Sequence, residues 1–248
     1  MKPDLAGQTA VVTGGTRGIG AATTHALLEA GASVRAVYRQ DEAAARAFED
    51  AAARHGKRLS LHRLDVADAA AVEAFWRETD AEVEAGVQIL VNNAGIRRDA
   101  IVGTMSVEDW KTVLDTNLSG SFYMSKFAVR SMMRGRYGRI VFVTSPSGHH
   151  GFAGQGNYAA SKAGQVGLMR SLAREVARKG ITANCVSPGF VETELLADVG
   201  EETRKSHLAM VPVGRYGKPA EIAWAILALC AREASYVNGA VLEVTGGI

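Results

Sequence analysis

Short runs of β-forming residues alternate with longer helical patterns along the whole chain, and this alternation constrains the fold most. Seven strands are predicted, at residues 9–13, 33–38, 59–64, 88–91, 139–144, 181–186 and 240–244. Apolar residues at helical spacing lie between them, at residues 19–30, 41–55, 68–84, 107–133 and 155–179. Strands that alternate with helices in this way are parallel and are joined by right-handed crossovers.

The strands are nearly continuous apolar runs, which is typical of a sheet covered by helices on both faces. The 248 residues are 47% hydrophobic, enough for one sizeable core. We therefore predict an α/β protein, a single doubly wound Rossmann-type domain with a seven-stranded parallel sheet that spans residues 1–248. Only residues 188–212 interrupt the alternation of strands and helices, and we predict that they form a lid over the active site.

Charge and cysteine content exclude several classes of protein. The chain has 28 Lys and Arg against 26 Asp and Glu, a net charge of +2, so no bulk attraction to nucleic acid or to a membrane surface is expected. It has no apolar run long enough to span a bilayer and no signal-peptide pattern at its start. Its two cysteines, Cys185 and Cys230, are too few for a disulfide framework. These features favour a cytoplasmic protein with buried thiols.

A glycine-rich turn follows the first predicted strand and leads into a helix. It reads TGGTRGIG over residues 13–20, with the glycine spacing G-x-x-x-G-x-G. Glycines let the backbone approach a pyrophosphate closely, and a helix N-terminus offers free N–H groups to it. The sequence therefore predicts a dinucleotide site, with contacts from Gly14, Thr16, Arg17, Gly18, Ile19 and Gly20.

The end of the second strand indicates which dinucleotide binds. An acidic residue there would favour NAD, but the strand ends in Tyr-Arg-Gln and the first acid, Asp41, suits the N-cap of the next helix. Arg39 and Arg17 could together hold a 2′-phosphate, because guanidinium groups match phosphate geometry. The alternative is that both are solvated surface arginines. We predict NADPH as the cofactor.

Tyr158 and Lys162 lie four residues apart in a predicted helix, which places both on one helix face. A tyrosine of ordinary pKa near 10 is a poor proton donor and acceptor at neutral pH, and a nearby ammonium stabilises its phenolate.

Ser145 follows the strand at 139–144, at the edge where open α/β sheets bind ligands. Asn117 lies within a long helix, where asparagine is a poor helix former. It would orient a water or the lysine, or else be an ordinary surface residue.

These residues and the stretches around them resemble the classical short-chain dehydrogenase/reductase family over essentially the whole chain. The matching stretches are TGGTRGIG (13–20), LDV (64–66), NNAG (92–95), YAASK (158–162) and PGFVET (188–193), together with Asn117 and Ser145. The resemblance implies that Tyr158 is the general acid–base, that Lys162 lowers its pKa and holds the nicotinamide ribose, and that Ser145 orients the carbonyl. It also implies that Asn117 anchors a water that leads protons to Lys162. The further cofactor contacts it implies are Asp65, Val66, Asn92, Ala94, Gly95, Pro188, Gly189, Val191 and Thr193.

Within that family the chain most resembles 3-oxoacyl-[acyl-carrier-protein] reductases, notably in residues 154–164, 171–193 and 238–248. The resemblance implies NADPH-dependent reduction of a carrier-bound 3-ketoacyl thioester in fatty acid or polyketide and polyene synthesis. The alternatives are a reductase or dehydrogenase of a free ketone, alcohol, sugar or acyl-CoA, and a non-catalytic nucleotide sensor. The loop after Ser145 departs from the pattern: His149, His150 and Phe152 would line the substrate entrance. A histidine pair without a third ligand nearby predicts no metal site.

Two further expectations concern partners. Basic residues flank the predicted site, and they are Arg130, Arg134, Arg136, Arg139, Arg170, Arg174, Arg178 and Lys179. We predict that they attract an acidic acyl carrier protein beside the active-site mouth, with Arg136 and Lys179 at the docking positions that the resemblance implies; the alternative is two solvated helix faces. The resemblance also implies a homotetramer built on residues 107–133 and 155–179, with residues 238–248 at a second interface.

Overall fold

The computed structural model describes residues 3–194 and 200–248, and its centre is one seven-stranded, all-parallel sheet. The strand order is β3-β2-β1-β4-β5-β6-β7. The strands are β1 Thr9–Thr13, β2 Ser33–Tyr38, β3 Leu59–Arg63, β4 Ile89–Asn92, β5 Gly138–Val143, β6 Ile181–Pro188 and β7 Val241–Val244. The predicted fold class is therefore confirmed.

Nine α-helices lie in the described part of the chain. They are α1 Gly18–Glu29, α2 Glu42–Ala51, α3 Ala69–Glu82, α4 Val107–Leu114, α5 Gly120–Gly135, α6 Ser147–His150, α7 Gly156–Val176, α8 Glu201–Ala209 and α9 Pro219–Cys230. Asp41 caps α2 as predicted, because its carboxylate accepts from the Ala44 N–H at 2.9 Å. None of the described helices has the length and apolarity needed to cross a membrane.

The sheet is covered on both faces, as its apolar strands predicted. On one face α3, α5 and α7 bury Trp76, Met124 and Met169. On the other face α1 packs against α9 and buries Leu27 and Ile226. Because both layers are closed, the ligand-binding surface is left to the loops at the strand ends.

The order of the strands fixes which edge of the sheet opens. Strand β1 lies between β2 and β4, so the chain leaves β1 and β4 towards opposite sides of the sheet. In an open α/β sheet a crevice forms at the carboxyl ends of the strands where this order reverses. The turns after β1, β4, β5 and β6 therefore meet at one place.

The opposite, N-terminal edge of the sheet holds a buried arginine. Arg139 is 2% exposed, and its guanidinium donates to the carbonyls of Gly138, Ala231 and Arg232 at 2.9–3.1 Å. It also lies over the ring of Tyr137, 4.5 Å from its centroid. Arg139 is thus a structural residue, and its predicted membership of a docking surface is wrong.

The predicted docking cations also lie on the N-terminal edge. Arg136 comes just before β5 and Lys179 just before β6, whereas Ser145 follows the end of β5. Six residues of strand at about 3.3 Å each separate the two edges by roughly 20 Å. The prediction that these cations stand beside the active-site mouth is therefore wrong within one chain.

Substituting Arg139 should destabilise the fold, because three carbonyls would lose a charged donor. We expect Arg139→Met to lower the free energy of unfolding by about 3 kcal/mol in urea titrations. The control is Arg174→Met on the exposed side of α7, which should change it by no more than about 0.5 kcal/mol. Equal losses in the two variants would contradict the structural role of Arg139.

Candidate active site

A cleft of about 1190 Å³ opens at the carboxyl edge of the sheet. Most residues that the sequence placed in the cofactor and catalytic sites line it: Gly14, Thr16, Arg17, Gly18, Ile19, Arg39, Asp65, Val66, Ala94, Gly95, Ser145, Tyr158, Lys162, Pro188, Gly189, Val191 and Thr193. Three others, Gly20, Asn92 and Asn117, lie behind this lining. The cleft therefore gathers the stretches that carried the resemblance.

The glycine-rich turn bends tightly into the N-terminus of α1. Gly14 has a φ of +62°, a conformation that side chains disfavour. A Cβ at Gly20 would lie 1.9 Å from the carbonyl oxygen of Gly14, so only glycine lets the helix start this close to the turn. Gly20 thus shapes the turn from behind, and the turn faces the cleft as an anion site requires.

The two asparagines after β4 have different positions. Asn92 is 1% exposed and donates to the Ser125 hydroxyl at 2.9 Å, so its side chain is not on the cofactor side. Asn93 lines the cleft and ties its wall to the glycine turn, because its amide donates to the carbonyls of Thr13 and Gly14 at 2.9 and 3.1 Å. The side chains of the two asparagines thus point to opposite sides, as alternation along a strand requires, and the cofactor contact of Asn92 stays a prediction.

Arg17 and Arg39 both line the cleft, and both are held by carboxylates. Arg17 lies 3.3 Å from Asp41 and 3.1 Å from Glu194. Arg39 lies 3.8 Å from Asp65. Both guanidiniums are half-exposed. Both arginines are thus solvent-accessible and ion-paired at the rim of the cleft, where a phosphate would compete with these carboxylates.

Asn117 lies in a π-helical turn, Asp115–Ser119, between α4 and α5. Its carboxamide accepts from the Ile96 N–H at 2.9 Å and donates to the Ile96 carbonyl at 3.1 Å and the Ser161 hydroxyl at 3.0 Å. It is fully buried, so the surface alternative is excluded. π-turns commonly mark functional sites, and this one carries the poor helix former that the sequence pointed to.

The ammonium of Lys162 is almost completely buried behind the cleft wall. It donates to the carbonyl of Val143 at 2.8 Å and to the side-chain oxygen of Gln165 at 3.2 Å. Burial lowers the pKa of Lys162 to about 8. At neutral pH the side chain therefore still carries its charge, but only by a narrow margin.

Tyr158 and Ser145 interact across the cleft from α7 and from the end of β5. Burial raises the pKa of the Tyr158 phenol, and the opposing effects of Arg97 and of a hydrogen bond from Ser145 do not outweigh it. The Nζ of Lys162 lies 5.5 Å from the centre of the tyrosine ring. These side chains by themselves hold Tyr158 in its neutral, proton-donating form, whereas the resemblance implied that its pKa is lowered.

A polar chain that the sequence did not reveal leads away from Ser145. Its hydroxyl donates to that of Ser147 at 3.1 Å, Ser147 donates to Gln155 at 3.1 Å, and Gln155 reaches Asp99 at 3.4 Å. Asp99 in turn is paired with Arg97, which lines the cleft. This chain fixes the orientation of the Ser145 hydroxyl.

Aromatic side chains form the outer wall of the cleft. Phe190 stacks on His207 of α8 at 4.0 Å, and Phe152 lies 6.4 Å from Phe190. His149 and His150 are exposed and are not part of this lining, so their predicted place at the entrance is wrong.

Within the described residues no cluster of His, Cys, Asp and Glu is arranged to hold a metal ion. The predicted lid, 188–212, includes residues 195–199, which lie outside the described residues.

The donor set fits a nicotinamide dinucleotide. The turn at the N-terminus of α1 suits a pyrophosphate, and Asp65 and Val66 stand beside the second strand end, where an adenosine would lie. Gly95 borders the lysine: a Cβ there would be in ordinary van der Waals contact with the Nζ of Lys162 at 3.5 Å and with the Asn117 carboxamide oxygen at 3.4 Å.

Comparisons with known proteins agree with this site. A family profile described as "Enoyl-(Acyl carrier protein) reductase" matches residues 14–248. The chain is 44% identical over 245 residues to the 3-oxoacyl-[acyl-carrier-protein] reductase FabG of Vibrio cholerae, covering 99% of this chain and 98% of that one. It is 44% identical to FabG of Escherichia coli over 242 residues, with 98% and 97% covered, and 38% identical to FabG of Aquifex aeolicus over 248 residues, with 100% of both chains covered.

The fold, the Ser145, Tyr158 and Lys162 set and these matches define the class: the chain belongs to the short-chain dehydrogenase/reductase family and is an oxidoreductase. Membership implies a nicotinamide cofactor. Within the family its similarity is to proteins named 3-oxoacyl-[acyl-carrier-protein] reductase, which come from bacteria as different as Vibrio and Aquifex.

If Tyr158 donates the proton, Tyr158→Phe should lower kcat for ketone reduction by roughly 10²–10⁴-fold, the usual contribution of general acid catalysis. Cofactor binding, measured by fluorescence titration, should change little. The matched control is Tyr236→Phe at a fully exposed tyrosine, which should behave as wild type. A Tyr158→Phe variant with more than half of the wild-type turnover would exclude the assignment.

Proposed function

We propose that the protein reduces a 3-oxoacyl thioester, carried by an acyl carrier protein, to the 3-hydroxyacyl thioester with NADPH. The observation that carries the proposal is the position of Tyr158 and Ser145 in one cleft, with the buried ammonium of Lys162 5.5 Å from the centre of the tyrosine ring. The names of the relatives supply the substrate class, since they are called 3-oxoacyl-[acyl-carrier-protein] reductases.

The chain's own groups act on the carbonyl oxygen. Ser145 accepts from the Ser147 N–H at 3.2 Å and would turn its one hydroxyl hydrogen from the Ser147 hydroxyl to that oxygen. Tyr158 passes its proton to the same oxygen as negative charge develops. The ammonium of Lys162 then stabilises the phenolate that remains. A bound nicotinamide supplies the hydride for the carbonyl carbon.

Two other substrate classes compete with this one. The description of the matching profile names an enoyl thioester, whose reduction adds hydride to a carbon–carbon double bond. The Ser145 and Tyr158 hydroxyls can instead both donate to one oxygen, which favours a carbonyl. A free small ketone would use the same hydroxyls, but it would not require the aromatic wall of Phe152, Phe190 and His207.

The decisive experiment compares substrates under one set of conditions, with NADPH oxidation as the readout. We expect kcat/KM to be highest for an acetoacetyl carrier protein, lower for acetoacetyl-N-acetylcysteamine, and negligible for crotonyl carrier protein and simple ketones. A faster reaction with the crotonyl substrate, or equal rates with simple ketones, would contradict the proposal.

Charge-reversal variants extend this experiment to carrier docking. Arg136 is exposed and donates to the carbonyl of Arg178, which holds it beside Lys179. Arg136→Glu and Lys179→Glu should raise KM for the carrier-bound substrate about tenfold at low salt and leave the N-acetylcysteamine thioester unaffected. Arg46→Glu on α2 is the control and should affect neither substrate. Since both cations lie on the far sheet edge, a carrier docked there would serve the site of a neighbouring subunit.

The preference for NADPH over NADH is proposed on the positions of Arg17 and Arg39 in the cleft. Arg39→Asp removes a guanidinium and places a carboxylate beside Asp65, so KM for NADPH should rise about ten- to a hundredfold. KM for NADH should stay constant or fall. Arg46→Asp, whose side chain is ion-paired with Glu42 on α2, is the control. Equal wild-type kcat/KM for the two cofactors would contradict the preference.

A homotetramer is proposed on two apolar surfaces. One lies on α4 and α5, where Val107, Trp110, Phe122 and Met133 are 40–69% exposed. The other lies near the C-terminus, where Trp224, Tyr236, Val237 and Leu242 are exposed. Apolar surfaces of this kind mark protein interfaces. Sedimentation equilibrium at micromolar concentration should give four times the mass of the chain, and a monomer would contradict the proposal.

A cytoplasmic location stays a prediction.

A further inference from the structure

Gln165 is a fully buried polar residue on α7, on the face that packs against the sheet. Its neighbours along that face, Val166 and Met169, belong to the apolar core. A buried carboxamide in such surroundings is costly unless its oxygen and nitrogen are hydrogen-bonded. Its partners therefore indicate why a polar residue stands there.

The Gln165 amide joins the lysine to the π-turn. Its oxygen accepts from the ammonium of Lys162 at 3.2 Å. Its nitrogen donates to the carbonyl of Asn117 at 2.8 Å and to the Ser121 hydroxyl at 2.7 Å. Both ends of the amide are thus satisfied, by Lys162 of the site, by the π-turn and by Ser121 at the start of α5.

The carbonyl of Asn117 has no lone pair left for a water. It accepts from Gln165 and also from the Ser121 hydroxyl at 2.6 Å, and a carbonyl oxygen has two lone pairs. A carboxamide, unlike water, does not accept one proton and release another. The Gln165 side chain thus bridges Lys162 and the Asn117 carbonyl, the two groups between which the resemblance implied a water.

We propose that Gln165 is a positioning residue that holds the Lys162 ammonium beside the active-site tyrosine by linking it directly to the Asn117 carbonyl. Of the three N–H donors of the lysine, Val143 and Gln165 take two, and the third is directed by them. In this arrangement Lys162 acts as a fixed charge and hydrogen-bond donor, and protons do not reach it along Asn117.

The effect of Gln165 should be visible in the protonation of Lys162. The titratable groups that face the lysine are Tyr158 on its own helix and Cys185 on β6, and burial holds both neutral by raising their pKa values, that of Cys185 to about 12. The hydrogen-bond acceptors of the ammonium are both uncharged, the Val143 carbonyl of β5 and the side-chain oxygen of Gln165. The acceptor oxygen of Gln165 is therefore a main support of the ammonium form.

Two variants separate positioning from packing. Gln165→Leu removes the acceptor and leaves the Asn117 carbonyl paired with Ser121, so the core should still form. Gln165→Glu keeps the acceptor and adds a negative charge. Met169→Leu, one turn further along the same buried face, is the control for packing.

The primary readout needs no substrate: the titration of Lys162 followed by NMR in protein labelled with ¹³C at lysine Cε, with the signal assigned through Lys162→Arg. In the wild type, burial lowers the pKa of Lys162 to about 8. We expect a lower pKa in Gln165→Leu, a higher one in Gln165→Glu and no change in Met169→Leu. Identical titrations in all variants would overturn the proposal, whatever the substrate proves to be.

The kinetic readout rests on the carbonyl reduction proposed above. Gln165→Leu should lower kcat about ten- to a hundredfold, the loss of one hydrogen bond to a charged group, and change KM for the ketone less than twofold. The alkaline limb of the kcat profile should move to lower pH in Gln165→Leu and to higher pH in Gln165→Glu. A loss of kcat with an unshifted profile, or equal losses in Met169→Leu, would reduce Gln165 to a structural role and contradict the proposal.

Discussion

The burial of the Lys162 ammonium is the constraint on which the rest of the site depends. A charge taken out of water must find fixed acceptors, and this one finds them on two elements, the end of β5 and its own helix α7. Those elements also carry Ser145 and Tyr158. The sheet order, the π-turn and the helix register therefore all have to be right before the lysine can be buried with its charge. The same desolvation raises the pKa of Tyr158 and lowers that of Lys162. Burial therefore favours the proton donor and opposes the cation, which depends on its two acceptors for support.

Strands and helices with a clear hydrophobic periodicity and a recognisable first or last residue could be predicted from the sequence. The strands agree to within a residue or two, and Asp41 is the helix cap that its position after β2 indicated. The sequence pattern does not predict helix α9, because PAEIAWAILALC is apolar on nearly every side and has no amphipathic period. Its start was nevertheless marked, since Pro219 occupies the first turn and the Glu221 carboxylate accepts from the Lys218 N–H at 2.7 Å.

The site shows a similar division. Residue types with a chemical role, such as Tyr158, Lys162 and the glycines, stand in the cleft as the sequence placed them. Side-chain direction was harder to read. Of the two asparagines after β4, Asn92 is buried and Asn93 faces the cleft. Of the arginines near β5, Arg139 is buried at the sheet edge and Arg136 is exposed, and a count of charges cannot show this difference. Gln165 gave no signal, because a polar residue on a buried helix face has meaning only once its partners are known.

The π-turn at Asp115–Ser119 has a consequence for how this protein tolerates change in length. A π-turn closes its hydrogen bonds over five residues instead of four, so it holds one residue more than the α-helical turn it replaces. The extra residue is taken up inside the turn, so α4 and α5 keep their apolar stripes towards the sheet on either side of it. Deleting one residue between 115 and 119 would let the turn close as a regular α-helix and would change the partners of the Asn117 carbonyl, including its bond from Gln165. At this point the site is sensitive to the number of residues as well as to their identity.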